Sequence, residues 1–128
     1  MKYTYYGQSC FLLDADGKKF LFDPFISHNP LAKEIDINSI EADYILISHG
    51  HGDHIADLPA IAKRTKAQVI AMVEVAAWIS KQGVENVIDI NFGKSKQDFG
   101  TLRTVWAVHS SSNPDESYGG NPAGFVLE

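Results

Sequence analysis

The 128-residue sequence predicts an α/β domain whose sheet mixes antiparallel and parallel strands. Two observations carry this. The chain opens on short apolar runs separated by turn residues, and from Tyr44 onward strand-like apolar runs alternate with segments of helical periodicity. Tyr3–Tyr6, Cys10–Asp14 and Lys19–Phe22 read as three strands, with Asp16-Gly17 as the hairpin turn between the last two, giving an antiparallel meander. Residues 23–42, punctuated by Asp23-Pro24 and Asn29-Pro30, form a long connection with one short helix near Ile35–Ile40. The continuous apolar run Tyr44–Ser48 reads as a strand. After it, Leu58, Ile61, Ala62 and Thr65 recur at helical spacing, and Pro59 is compatible with a first helical turn. Gln68–Met72 is the next strand, and Glu74–Gln82 is an amphipathic helix that Gly83 ends as its C-cap. Val87–Ile90 and Thr101–Val108 are strands separated by the polar stretch Asn91–Gly100. A loop over Ser110–Pro122 leads to a closing strand, Ala123–Leu127. No internal repeat is present.

Composition narrows the class. The length fits a single domain over residues 1–128, and 45% hydrophobic with 21% charged residues is ordinary for a soluble globular chain. No apolar run approaches the roughly 20 residues of a membrane helix, and Met1-Lys2-Tyr3-Thr4 is not followed by the apolar core of a signal peptide. A single cysteine allows no internal disulfide, which points to the reducing cytoplasm, with Cys10 as a buried, inert thiol. The net charge of −5 argues against nucleic acid as a partner, and Lys63-Arg64 with Lys66 reads as the solvated end of a helix. A small molecule, phosphorylated or not, remains compatible as substrate. Trp78 and Trp106 are read as packing residues.

The chemistry is concentrated in His49-Gly50-His51-Gly52-Asp53-His54, which holds three of the chain's five histidines and a carboxylate directly behind an apolar strand. Imidazole and carboxylate suit zinc, manganese, iron or nickel, and the two glycines let the backbone fold tightly enough for neighbouring side chains to converge. His109 follows the strand Thr101–Val108, so a second strand end delivers an imidazole. A carboxylate beside a metal can accept the proton of an activated water, which makes Asp53 the candidate catalytic base. His28, in the 23–42 connection, reads as a solvated loop histidine, and Asp23 as either the acceptor for a ligand histidine or a capping carboxylate in an Asp-Pro turn.

The H-x-H-x-D-H motif resembles the signature of the metallo-β-lactamase-fold hydrolases. Tyr5-Tyr6-Gly7-Gln8-Ser9-Cys10-Phe11, Phe22-Asp23-Pro24-Phe25, Val108-His109-Ser110-Ser111-Ser112 and Gly119-Gly120-Asn121-Pro122-Ala123-Gly124-Phe125 narrow the likeness to the branch similar to ascorbate-6-phosphate lactonase. The resemblance implies the N-terminal half of an αββα sandwich, a mixed sheet with helices on one face. It implies His49, His51 and His109 as ligands of one divalent metal, zinc first among the candidates, and Asp53 and His54 as part of a second position. Relatives complete that position with an aspartate and a histidine from a second half that lies outside these residues, so the second position is expected to be weak or empty. Gln8 departs from the pattern, because relatives usually carry histidine in this Gly-x-Ser element. The implied activity is hydrolysis of a lactone, ester or phosphorylated small molecule by a metal-activated water. The alternative is a non-catalytic, metal-binding, self-associating fragment. A purely structural zinc site ranks last, since such sites usually close with cysteine. With each half supplying one sheet, the inner sheet face of this half is expected to be bare and to drive homodimer formation.

Overall fold

A computed structural model describes residues 1–128. Six strands form the main sheet in sequence order: β1 (Lys2–Gly7), β2 (Cys10–Ala15), β3 (Lys18–Phe22), β4 (Tyr44–Leu46), β5 (Gln68–Met72) and β6 (Val87–Ile90). The first three are an antiparallel meander, and β3 through β6 run parallel, so the sheet is mixed as expected. Three helices follow β4: α1 (Gly52–Ile55), α2 (Leu58–Thr65) and α3 (Val73–Lys81). Gly83 ends the α3 region at φ +85°, a left-handed conformation that glycine adopts without a Cβ clash. The connection 23–42 carries two 3-10 turns, Pro30–Ala32 and Ile37–Ser39, in place of one short helix; Asn29 and Asp36 each cap one through a side-chain oxygen.

The central strands are apolar throughout because both faces are buried. Leu21, Ile45, Ile47, Val69 and Ala71 pack on Leu58, Ile61, Val75 and Ile79 of the helices. Their alternate neighbours Phe20, Phe22, Leu46, Ile70 and Met72 point the other way. There the structure departs from the expected bare inner face. The stretch Asn91–Gly100, read as polar connection, contains β7 (Gly93–Gln97), which pairs with β8 (Gly100–Trp106); β9 (Ala123–Leu127) flanks β8 on its other side. This three-stranded antiparallel sheet begins the second layer within the chain, and Leu102 and Ala123 bury themselves against the main sheet. Phe99, in the β7–β8 turn, meets Phe20 and Tyr44 edge-on at centroid distances of 5.1 and 4.9 Å. The cover is partial: a cleft of about 640 Å³ remains between the sheets, lined by Phe11, Leu13, Phe20, Phe22, Phe125 and Leu127.

Trp78 is half-buried against the helix-side core, whereas Trp106 is 68% exposed and does not pack as expected, because it is the last residue of β8 and lies outside both core clusters. No helix is long and apolar enough to cross a membrane.

Candidate metal centre

The metal motif leaves the carboxyl end of β4, where backbone pairing with β5 continues through Ile47 and the chain then turns into α1. Strand ends of this kind are where parallel sheets place sites. The 110–113 loop presses against the turn so closely that a Cβ on Gly50 would lie 2.6 Å from Asn113 Oδ1 and 2.8 Å from the Ser112 carbonyl oxygen. Only glycine fits there. The Gly50 N–H donates to Ser111 Oγ (3.2 Å), which itself donates to the Gly119 carbonyl (2.9 Å). Ala123 N–H donates to the Ser48 carbonyl at 2.8 Å. These contacts bring His109, just past β8, beside a motif some sixty residues earlier in the chain.

His49, His51 and His109 each offer a ring nitrogen, and these atoms lie within 4.8 Å of one another. His49 Nε2 and His51 Nδ1 are 3.0 Å apart, and the centroid of the His109 ring is 4.7 Å from that of His49 and 5.2 Å from that of His51. His49 is buried, His51 half-buried and His109 exposed. A relay fixes which nitrogen of His49 faces the cluster. Ser48 Oγ spends its proton on Asp23 Oδ2 (2.6 Å) and therefore accepts from His49 Nδ1 (2.9 Å), leaving the His49 Nε2 lone pair free. Burial, followed by the charge of neighbouring His54, pulls the His49 pKa from 6.5 down to about 4, so the ring is neutral at physiological pH. Imidazole nitrogens converging on one point are the donor set that a borderline divalent cation takes, and this set fits a metal.

Asp53 and His54 form a neighbouring group. The His54 and His49 ring centroids are 4.1 Å apart, yet His54 Nδ1 donates to Asp23 Oδ2 (2.9 Å) and its Nε2 faces Gln8. Burial lowers the His54 pKa, but the hydrogen bond and charge of Asp23, with the charge of Asp53, outweigh it and raise the value overall. Gln8 Nε2 lies 3.0 Å from Asp53 Oδ2 and 3.3 Å from His54 Nε2. The five residues read from the sequence as ligands are thus contiguous in space but divide into three and two. Asp23 is the buried acceptor behind both groups, taking the Ser48 N–H (2.8 Å) as well. His28 is exposed, its Nδ1 lies 3.2 Å from Ser27 Oγ, and it stays outside the cluster. Cys10 is fully buried, and burial pushes its thiol up to about 12, consistent with an inert role.

Several supporting residues carry no signal of their role in the sequence. Asp57, directly before α2, makes no side-chain capping bond to it; its carboxylate accepts the backbone N–H groups of Ile26 (2.6 Å) and Ser27 (3.0 Å) and the Ser27 hydroxyl, pinning the loop after β3. Buried Asn113 donates to Ser117 Oγ (3.0 Å) and the Tyr118 carbonyl (3.2 Å), shaping the loop behind His109. Asp57 acts across some 30 residues, which local pattern does not report, whereas the bonds of Asn113 close a local loop. The Ser-rich and Gly-rich composition of 110–122 is the one available hint.

Comparison with known proteins agrees with this fold. The family model of the metallo-beta-lactamase superfamily matches residues 3–119. A UPF0173 metal-dependent hydrolase of Methylacidiphilum infernorum is 50% identical over 129 residues, and one of Flavobacterium johnsoniae is 48% identical. Each match takes in the whole of this chain and 57% of the relative, so the chain spans little more than half the length of these curated relatives. Among solved structures, the metallo hydrolase Igni18 of Ignicoccus hospitalis superposes with a TM-score of 0.78 at 30% identity, over 98% of this chain and 55% of that one. An isothiocyanate hydrolase from Delia radicum gut bacteria shares the fold, with a TM-score of 0.73 at 20% identity, over 100% of this chain and 58% of its own.

Proposed function

The chain belongs to the metallo-beta-lactamase superfamily, and from that premise we propose that it is the metal-binding portion of a metal-dependent hydrolase acting on a lactone, ester or phosphorylated small molecule in the cytoplasm. The observation that carries this is the convergence of His49, His51 and His109, with His49 held neutral and its Nε2 turned inward by Ser48 and Asp23. A divalent ion there, zinc first and manganese, nickel or iron as alternatives, would lower the pKa of a bound water towards about 7 and polarise a carbonyl or phosphoryl oxygen.

The chain's own residues supply the rest. Asp53 sits on the first turn of α1 with a 54% exposed side chain; one carboxylate oxygen is tied to Gln8, and in this reading the carboxylate would take a proton from water. A cleft of about 410 Å³ opens beside Gln8, Asp23 and Ser48, with Tyr3, Tyr5 and Phe11 in its walls, a size and lining suited to a small organic substrate. The second reading, a non-catalytic metal-binding module, draws on the engagement of Asp53 and His54 by Gln8.

The test pairs metal content with turnover of a generic ester and a phosphodiester. We expect about one divalent ion per chain, lost in His51→Ala and His109→Ala after mild chelation and dialysis. Turnover by residues 1–128 alone is expected to fall well below that of a full-length relative. Wild-type metal content in both variants would overturn the three-histidine site, and metal binding with no turnover of either substrate would favour the non-catalytic reading.

A further inference from the structure

We propose that the side-chain amide of Gln8 stands in for a second cation beside the three-histidine centre, engaging Asp53 and His54 and keeping the centre mononuclear. This rests on the reading of His49, His51 and His109 as the metal ligands. The orientation of the amide is fixed at both ends. Its oxygen accepts the N–H of Ser9, so the nitrogen faces the site, 3.0 Å from Asp53 Oδ2 and 3.3 Å from His54 Nε2. His54 Nδ1 is committed to Asp23, so Nε2 is the ring nitrogen that faces the amide. An NH₂ group has two donors and no lone pair to give a metal. Gln8 therefore presents to these atoms what a cation would present, positive character, and cannot itself be a ligand in this pose.

The backbone holds the side chain there. Gln8 lies in the left-handed region at φ +51°, in the tight turn between β1 and β2, and its carbonyl accepts the Tyr5 hydroxyl at 2.9 Å. A second ion would have to break both amide contacts and turn the side chain out. The arrangement has a consequence for the proposed chemistry: Asp53 keeps its carboxylate off a metal and available to take a proton.

The experiment titrates metal-free protein with Zn²⁺ calorimetrically, with elemental analysis after gel filtration, for wild type, Gln8→Ala and Gln8→Glu. Gln8 is exposed, so neither exchange touches the core, and melting curves of the metal-free variants check this. Wild type is expected to take one ion. Gln8→Ala should take a second, weaker one, and Gln8→Glu should hold that ion roughly tenfold more tightly or better, because the new carboxylate adds a ligand next to Asp53. With Co²⁺ the second ion should appear as a separate absorption step that survives in Gln8→Glu when His51→Ala has removed the first. Two tightly held ions in wild type, or one ion in all three proteins, would overturn the proposal while leaving the three-histidine centre intact. No ion in wild type would overturn that centre and this proposal with it.

Discussion

Asp23 concentrates more of the site's polar chemistry than any ligand does. Its carboxylate accepts from the Ser48 backbone, the Ser48 hydroxyl and His54, and so sets the orientation of His54 directly and of His49 through Ser48. Asp23→Ala leaves those donors without an acceptor in a buried setting. We expect a loss of about 2–4 kcal/mol by chemical denaturation and a metal affinity lower by roughly 10–100-fold. His49 adds a pH dependence. Its folded pKa of about 4 lies below the ordinary 6.5, so between these values the unfolded chain binds the extra proton. The metal-free protein should therefore lose His49-linked stability as pH falls from 6.5 towards 4, with no such loss above 6.5. His54, raised above its ordinary value, acts in the opposite sense, losing its contribution as pH rises through the folded pKa. Comparing denaturation midpoints of wild type and His49→Gln across that window isolates the first effect; an unchanged slope would contradict it.

Among the elements, what the sequence discloses is what local periodicity and turn chemistry control. The meander, the strand β4 that leads to His49, α2, and the termination of α3 before Gly83 all follow from patterns within a dozen residues. Two elements escape that kind of reading for definite reasons. β7 buries neither face and carries Lys94, Ser95, Lys96 and Gln97, so it has no apolar alternation; its polarity suits an edge strand. Helix α1 is a single turn made of the metal motif itself, too short for any period to register. Asp57 shows the same limit within the site: its aspartate-before-helix signature is genuine, but its partners lie 30 residues away. The contact between the strand end and the 110–113 loop is testable at Gly50. Gly50→Ala should cost about 1–3 kcal/mol and weaken metal binding, since the added methyl must push Ser112 and Asn113, and with them His109, away from His49. Retention of full affinity would mean that the loop does not position His109.

Over the whole molecule, the presence of β7–β9 moves the problem of exposed apolar surface rather than removing it. The inner face of the main sheet is partly covered, but beyond Ala123, whose N–H donates to Ser48, β9 has no strand paired on its outer edge, beside the 640 Å³ cleft. On the far side of the small sheet Val105 and Val126 are 42% and 43% exposed. Arg103 pairs with Val126 and Val105 with Gly124, so these residues share one outward face. In a layered α/β architecture such a face is normally covered by helices, and none of the three helices here lies on it. An open strand edge joined to an apolar face is a template for pairing with another chain. We propose that, for residues 1–128 alone, the partner is a second copy, meeting edge to edge about a two-fold axis through β9. Sedimentation equilibrium at micromolar concentration should give a dimer, and Val126→Lys, a charge placed on the exposed strand, should shift it to monomer while leaving the metal content at one ion per chain. A stable wild-type monomer that does not aggregate would refute the dimer and mean that this face is tolerated in water as it stands.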